Sequence, residues 1–401
     1  MRTIYAEIRT STPQYWALLS LFAVLAAVGI AAAHQMDVQG HHISGMNNQV
    51  VWGLPHVFAI FLIVAASGAL NLASLASVFG KVEYKPLARF SAVLSIALLI
   101  GGLAILLLDL GRPDRLIVAM THYNFKSIFA WNIILYTGFI VIVLAYLWLM
   151  MERRLECWSR PLGMFAFAWR LVLTSGTGSI FGFLVAREAY DSALLAPMFI
   201  VMSFAFGLAV FVLLLLASFR LDRRELDALH LQRLRKLLGL FCLGILYFVI
   251  LFHLTKLYGS QNHAFESFIL LDGGIYTWLF WLFQIGLGSL LPLLLLYSPR
   301  WQHSRRSLVL ACALIIQGAF AQLYVIIIGG QAFPLNMFPG YRVESSFFDG
   351  VVNAYSPSLW ELLLGFGGLT GALLIALLVV RVLPILPQSL PAPQDQRVEK
   401  H

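Results

Sequence analysis

GLPHVFAIFLIVAASGALNLASLASVF, residues 53–79, runs for 27 positions with one histidine, one asparagine and no acid, lysine or arginine. At about 1.5 Å rise per residue a helix of this length reaches roughly 40 Å, more than the ~30 Å hydrocarbon core of a bilayer. Nine further apolar runs of similar length stand near 16–34, 89–108, 128–150, 164–186, 194–218, 237–257, 275–297, 307–328 and 359–381. With 60% hydrophobic and 11% charged residues, the chain is far from a soluble domain. The spans predict an all-α integral membrane protein of about ten transmembrane helices.

Charge predicts the orientation. Ten crossings put odd- and even-numbered connections on opposite sides. The N-terminus, the even-numbered connections and the C-tail, with Arg89 and Arg381 at helix ends, hold 20 of the 27 Lys and Arg residues. Odd connections hold six, and Arg170 lies inside a span. Positive charge stays in the cytoplasm, so both termini are expected there, in a bacterial inner membrane with the long odd connections in the periplasm. This distribution accounts for the formal charge of +8 without a nucleic-acid partner. The densest basic stretch, 220–236, reads as a topology determinant touching anionic membrane lipids.

The segments follow: a cytoplasmic N-terminus at 1–15, a first helix at 16–34, four-helix groups at 53–186 and 194–328, an extracytoplasmic loop at 329–358, a last helix at 359–381 and a polar, proline-rich tail at 382–401 expected to be disordered. Arg2, Arg9 and the small residues Ala31-Ala32-Ala33 resemble a secretory signal, but the apolar run is long for one and reads as a retained helix. Three cysteines without a CxxC build neither an iron–sulfur cluster nor a zinc site. No metal ligands are expected. Haem ligation would need facing histidines; only His34, His56 and His253 stand at or within spans, all towards one surface.

Ionisable groups at membrane depth are costly and point to function. His56 lies one turn inside the second span. Asp109 and Arg112 end the third, in Asp109-Leu110-Gly111-Arg112-Pro113. Asn132 and Tyr136 share a face of the fourth, and the fifth runs out to Arg187 and Glu188. Four consecutive spans thus bring acids, arginines, a histidine, an amide and a phenol to one depth, as a polar-headed lipophilic ligand requires. Each also has a plainer role. Asp109 with Arg112, or Arg187 with Glu188, would make interfacial ion pairs; Asn132 would bond a neighbouring helix, Tyr136 anchor at the interface, and His56 bond a carbonyl. Ser67, Asn71 and Ser74 form a stripe suited to helix packing or a water wire. A second polar set comprises His253, Lys256, Asp272, Gln284, Gln317, Gln322 and Glu361, with Lys256, Arg342 and Gln322 as partners for Glu361.

These residues carry a resemblance. Trp52 to Leu75, the Asp109-to-Pro113 turn, Phe125 to Trp131 and the stretch Gly178 to Gly207 around Arg187 and Pro197 resemble the NrfD/PsrC family of quinone-interacting membrane subunits. Leu359-Trp360-Glu361-Leu362-Leu363 and Arg381-Val382-Leu383-Pro384 are similar to its ten-helix, HybB/DsrP-like branch. The resemblance implies two four-helix bundles flanked by the first and last helices. It implies quinone or quinol (menaquinone or ubiquinone) as cofactor, with no haem or iron–sulfur cluster held by this chain. It further implies a periplasmic ferredoxin-like iron–sulfur subunit on the outer face, alongside further redox subunits. His56 matches the family's helix histidine and Arg187 its arginine-bearing turn, while Gly53 stands where polysulfide reductase has an asparagine.

The expected function is a membrane subunit of a respiratory or sulfur-metabolism redox complex, exchanging electrons between the quinone pool and that partner. His56, Asp109 and Arg112 are the expected catalytic residues. His56, Asn132, Tyr136, Arg187 and Glu188 are the expected quinone-binding set. A secondary transporter and a b-type cytochrome-like membrane anchor remain as other classes, and pumping is not expected because no row of buried acids crosses the membrane.

Overall fold

The computed structural model describes residues 4–8, 12–224, 226–301, 303–335 and 350–388. Ten long helices dominate: α1 (Pro13–Gln39), α2 (Leu54–Ser77), α3 (Val82–Leu108), α4 (Ile128–Met151), α5 (Glu156–Gly182), α6 (Leu195–Leu221), α7 (Ala228–Tyr258), α8 (Ile275–Tyr297), α9 (Arg305–Ala332) and α10 (Leu359–Val382). Nine of them are long and apolar enough to cross a membrane. The other, α5, has 27 residues but carries Arg170 and the run Thr174-Ser175-Gly176-Thr177-Gly178-Ser179. It lies between α4 and α6 and against α2, and their packing covers most of those polar groups. The protein is an all-α integral membrane protein.

Helices α2 to α5 form one group and α6 to α9 another, joined where α2 and α5 lie against α6. The first helix pairs lengthwise with α10, which lies on α3 and α2. Among the described residues the strands are two short ones, β1 (Tyr5–Ala6) and β2 (Leu386–Pro387), paired antiparallel with Tyr5 opposite Pro387. They bring the segment before α1 and the segment after α10 together at one end of the bundle. Arg224, from the basic stretch between α6 and α7, donates to the carbonyls of Leu386, Pro387 and Glu7 and fastens this clasp. Exposed tryptophans band both ends: Trp16, Trp148 and Trp158 near the clasp, Trp131, Trp278 and Trp281 at the other.

Helix α2 is the hub. The whole of its apolar stretch is buried, against α3, α5, α6, α9 and α10. Gly68 and Gly207 of α6 let two backbones touch: a Cβ on Gly68 would overlap the backbone of Ser203. The helix breaks at Leu70 between Leu54–Ala69 and Asn71–Ser77. Freed backbone groups in a membrane must find partners. Ser91 Oγ donates to the Ala69 carbonyl (2.6 Å) and accepts from the Ala73 N–H (3.3 Å). Buried Arg170 donates to the Ser67 carbonyl (2.9 Å) and to Asn71 Oδ1 (2.7 Å). The stripe of Ser67, Asn71 and Ser74 is therefore spent on helix packing. Thr174 donates to Ser67 Oγ, Asn71 Nδ2 to the Phe204 carbonyl, and Ser74 Oγ to the Leu70 carbonyl.

Candidate functional site

At the end opposite the clasp, Pro55 sits in the first turn of α2, where its missing N–H costs nothing, and His56 follows it. Asp109 caps the C-terminus of α3, the helix packed beside α2. These two meet: His56 Nδ1 lies 3.1 Å from Asp109 Oδ2. The imidazole keeps 22% of its side-chain surface exposed and the carboxylate 1%. The pair is at ion-pair distance but misaligned for hydrogen bonding, so His56 Nδ1 and both Asp109 oxygens have no hydrogen-bond partner among the described residues. His41 Nε2 donates to the Asp109 carbonyl (2.9 Å), which fixes the end of α3.

Trp52 stands over this pair. Its ring lies 6.3 Å from His56, 6.0 Å from Phe129, 5.7 Å from Phe181 and 6.4 Å from Tyr190, centroid to centroid. Its backbone is held by the buried side chain of Gln331, at the end of α9. Gln331 Oε1 accepts from the N–H groups of Val51 (2.9 Å) and Trp52 (3.0 Å), and Nε2 donates to the Trp52 carbonyl (3.0 Å). Gly53 has no space for a side chain, because a Cβ there would overlap Glu361 Oε1 and Tyr355 Oη.

Glu361 belongs to the scaffold. It forms a capping box with Ser358 at the start of α10 and accepts from the Gly45 N–H (2.9 Å) and from Tyr355 Oη (2.8 Å). Tyr355 Oη in turn accepts from the Leu54 N–H (2.7 Å). Burial, with the Glu361 charge beside it, raises the Tyr355 pKa, so the phenol stays a donor. Of the partners expected for Glu361, Lys256 instead donates to the Glu188 carbonyl, and Arg342 lies outside the described residues.

The remaining residues expected at the site point elsewhere. Helix α5 ends at Gly182, four residues before the expected end of the span, and Arg187 and Glu188 lie in the turn beyond. Arg187 donates to the Gln331 carbonyl (2.9 Å) and the Gln49 carbonyl (2.8 Å), bracing the two bundles rather than facing His56. Burial lowers its pKa from a value so high that it stays charged. Asn132 Nδ2 donates to the carbonyls of Ile128 (2.9 Å) and Gly176 (3.1 Å), and Tyr136 Oη meets Thr177 Oγ1 at 3.1 Å; both tie α4 to α5. Arg112 is exposed in the turn after Asp109. Trp52, His41, Gln331 and Tyr190 belong to the site's surroundings and were not singled out by sequence. Gln331, a lone amide between Gly330 and Ala332 at a helix end, was the one with a legible signal.

Comparison with known proteins accords with this layout. Residues 42–335 match the family model described as polysulphide reductase, NrfD. That range opens just before α2 and closes just after α9. An integral membrane subunit of an Hdr-like menaquinol oxidoreductase from Archaeoglobus fulgidus is 31% identical, over 97% of this chain and 98% of its own length. A selenate reductase subunit from Mesobacillus selenatarsenatis is 25% identical, over 92% of this chain and 94% of its own length. A polysulfide reductase polypeptide from Wolinella succinogenes is 26% identical, over 71% of this chain and 96% of its own length. All three relatives are named as parts of an oxidoreductase or reductase, the first as its integral membrane subunit, and this integral membrane chain belongs to the polysulphide reductase NrfD family.

Proposed function

We propose that the His56–Asp109 pair marks where this subunit exchanges electrons and protons with the quinone pool. The observation that carries this reading is a partly exposed imidazole backed by a buried carboxylate whose oxygens have no hydrogen-bond partner among the described residues. Leaving buried polar atoms unpaired is costly, and proteins retain such groups where they serve a ligand or a proton. A quinol bound here supplies paired electrons and protons, released or taken up at its two ring oxygens.

The chain's own groups have defined tasks. His56 presents its reachable edge as proton donor or acceptor. Asp109 stabilises the imidazolium whenever His56 holds the extra proton, and its position at the end of α3 leads outward past His41. The Trp52 ring, with Phe129 and Phe181, gives an apolar wall against which a planar ring packs. Arg112, exposed at the rim, supplies positive charge to a reduced oxygen, while Asn132, Tyr136 and Arg187 hold the surrounding helices and turns in place. Menaquinol is the first quinol to test, because a relative of matching length is named for it.

The same reading places the clasp end in the cytoplasm and the pair at the outer face of the cytoplasmic membrane, supported by the bias of Lys and Arg. There a ferredoxin-like iron–sulfur subunit would pass electrons on to further redox subunits. The test is to titrate the intact, gently solubilised complex with menaquinol analogues while following its cluster signals by EPR. Cluster reduction in the wild type that is lost in an assembled His56→Ala variant is expected. Unchanged reduction in that variant removes the pair from the reaction.

A further inference from the structure

A second histidine–acid pair lies in the other bundle. Glu266 sits on the short helix His263–Ser267, which folds back against α7. Its side chain is fully buried, and Oε2 lies 2.7 Å from His253 Nδ1 in hydrogen-bond geometry. Glu266 Oε1 has no hydrogen-bond partner among the described residues. His253 also lines a small cavity of about 30 Å³ whose other polar walls are Gln284 and Gln322. Gln322 Nε2 is likewise unpartnered among the described residues. A space of this size holds one or a few waters.

The backbone is unusual at the same place. Stretches of π-helix at Phe268–Asp272, Leu279–Leu290 and Val325–Gly329 contribute Ile269, Phe280 with Gln284, and Val325 with Ile326 to the cavity wall. π-Helical turns are rare and gather at functional sites. The surrounding charge comes from few groups. Lys256, buried one turn beyond His253, donates to the Glu188 carbonyl and lies within electrostatic reach of Asp191, Glu188 and Glu266. The cavity faces of α6, α8 and α9 are apolar apart from the two glutamines.

We propose that His253 and Glu266 form a proton-binding site, with water in the adjoining cavity as the group that delivers and removes the proton. Loading adds one proton to the carboxylate–imidazole pair, relayed through that water, which receives another in turn and stays neutral; the pair becomes an imidazolium beside a carboxylate, unloading reverses the relay, and no electron moves. The site needs no quinone, so it stands apart from the His56 pair.

Infrared pH-difference spectra of the intact complex, recorded in H₂O and D₂O, test this. The wild type is expected to show coupled carboxylate and imidazole bands that titrate together and shift in D₂O. Glu266→Gln abolishes the carboxylate band, His253→Gln shifts it, and His56→Ala leaves it in place. Gln322→Leu keeps both titrating groups and removes a polar wall, so the bands persist but exchange with D₂O slows. Identical pH-difference spectra in wild type and Glu266→Gln overturn the proposal, as does unchanged exchange in Gln322→Leu.

Discussion

His56 and His253 stand near the same end of the molecule, one in each bundle, and each faces a buried acid. In the first bundle the pair sits at 3.1 Å, misaligned, with the imidazole 22% exposed. In the second it is hydrogen-bonded at 2.7 Å, and the Phe280 ring packs edge-on against the imidazole with centroids 4.8 Å apart. The first arrangement forgoes hydrogen bonds and leaves an edge of the imidazole within reach. The second satisfies the bond and leaves only a small cavity beside the imidazole. A histidine within an apolar bundle is thus not a ligand site by itself; the packing over it decides what it can meet.

Replacing each histidine is the strongest way to break this comparison. In the assembled complex His56→Ala is expected to lower menaquinol-driven cluster reduction by about 10²–10⁴-fold, the usual worth of a general acid–base. His253→Ala should leave the steady rate within a few-fold. Equal losses in rapid-mixing kinetics would erase the functional distinction between the pairs. Asp109→Asn keeps the shape and removes the charge behind His56, so a fall of about 10²-fold is expected in the same assay. A normal rate would reduce Asp109 to a helix cap.

The brace between the bundles comes next in size. Arg187→Lys replaces a fork that reaches two carbonyls by a single ammonium, and should cost about 1.5–3 kcal/mol of stability. Thermal unfolding of the purified complex measures it; an unchanged midpoint would mean the bundles do not depend on this contact. Tyr136→Phe is the smallest change. Loss of the Thr177 contact should cost about 1 kcal/mol, with no change in KM for quinol. A raised KM would bring Tyr136 back into contact with the ligand.

The depth of the polar residues was legible in the sequence; their direction was not. Position along a helix follows from counting, but rotation about its axis is set by neighbours distant in sequence. Thus Asn132 and Tyr136, correctly placed on one face, turn to α5, and Asp109 turns to His56 while Arg112 stays in the open. Glu361 read as a buried charge seeking a cation, yet it closes its own helix cap and holds the connection before α2. The absence of a side chain at Gly53 was visible, whereas its cause, the Glu361 and Tyr355 oxygens filling that space, required the fold.

The sequence by itself determined the long apolar helices, their order and the asymmetry of charge between their two ends, because bilayer thickness and the cost of burying charge act on each segment alone. Only the tertiary structure decided that α2 is the hub while α1, equally apolar, is mostly exposed at the periphery. Lipid and protein interior are equally apolar, so hydropathy does not separate a lipid-facing helix from a central one. Small residues, such as Gly68 against Gly207, and the partners of buried polar groups make that choice.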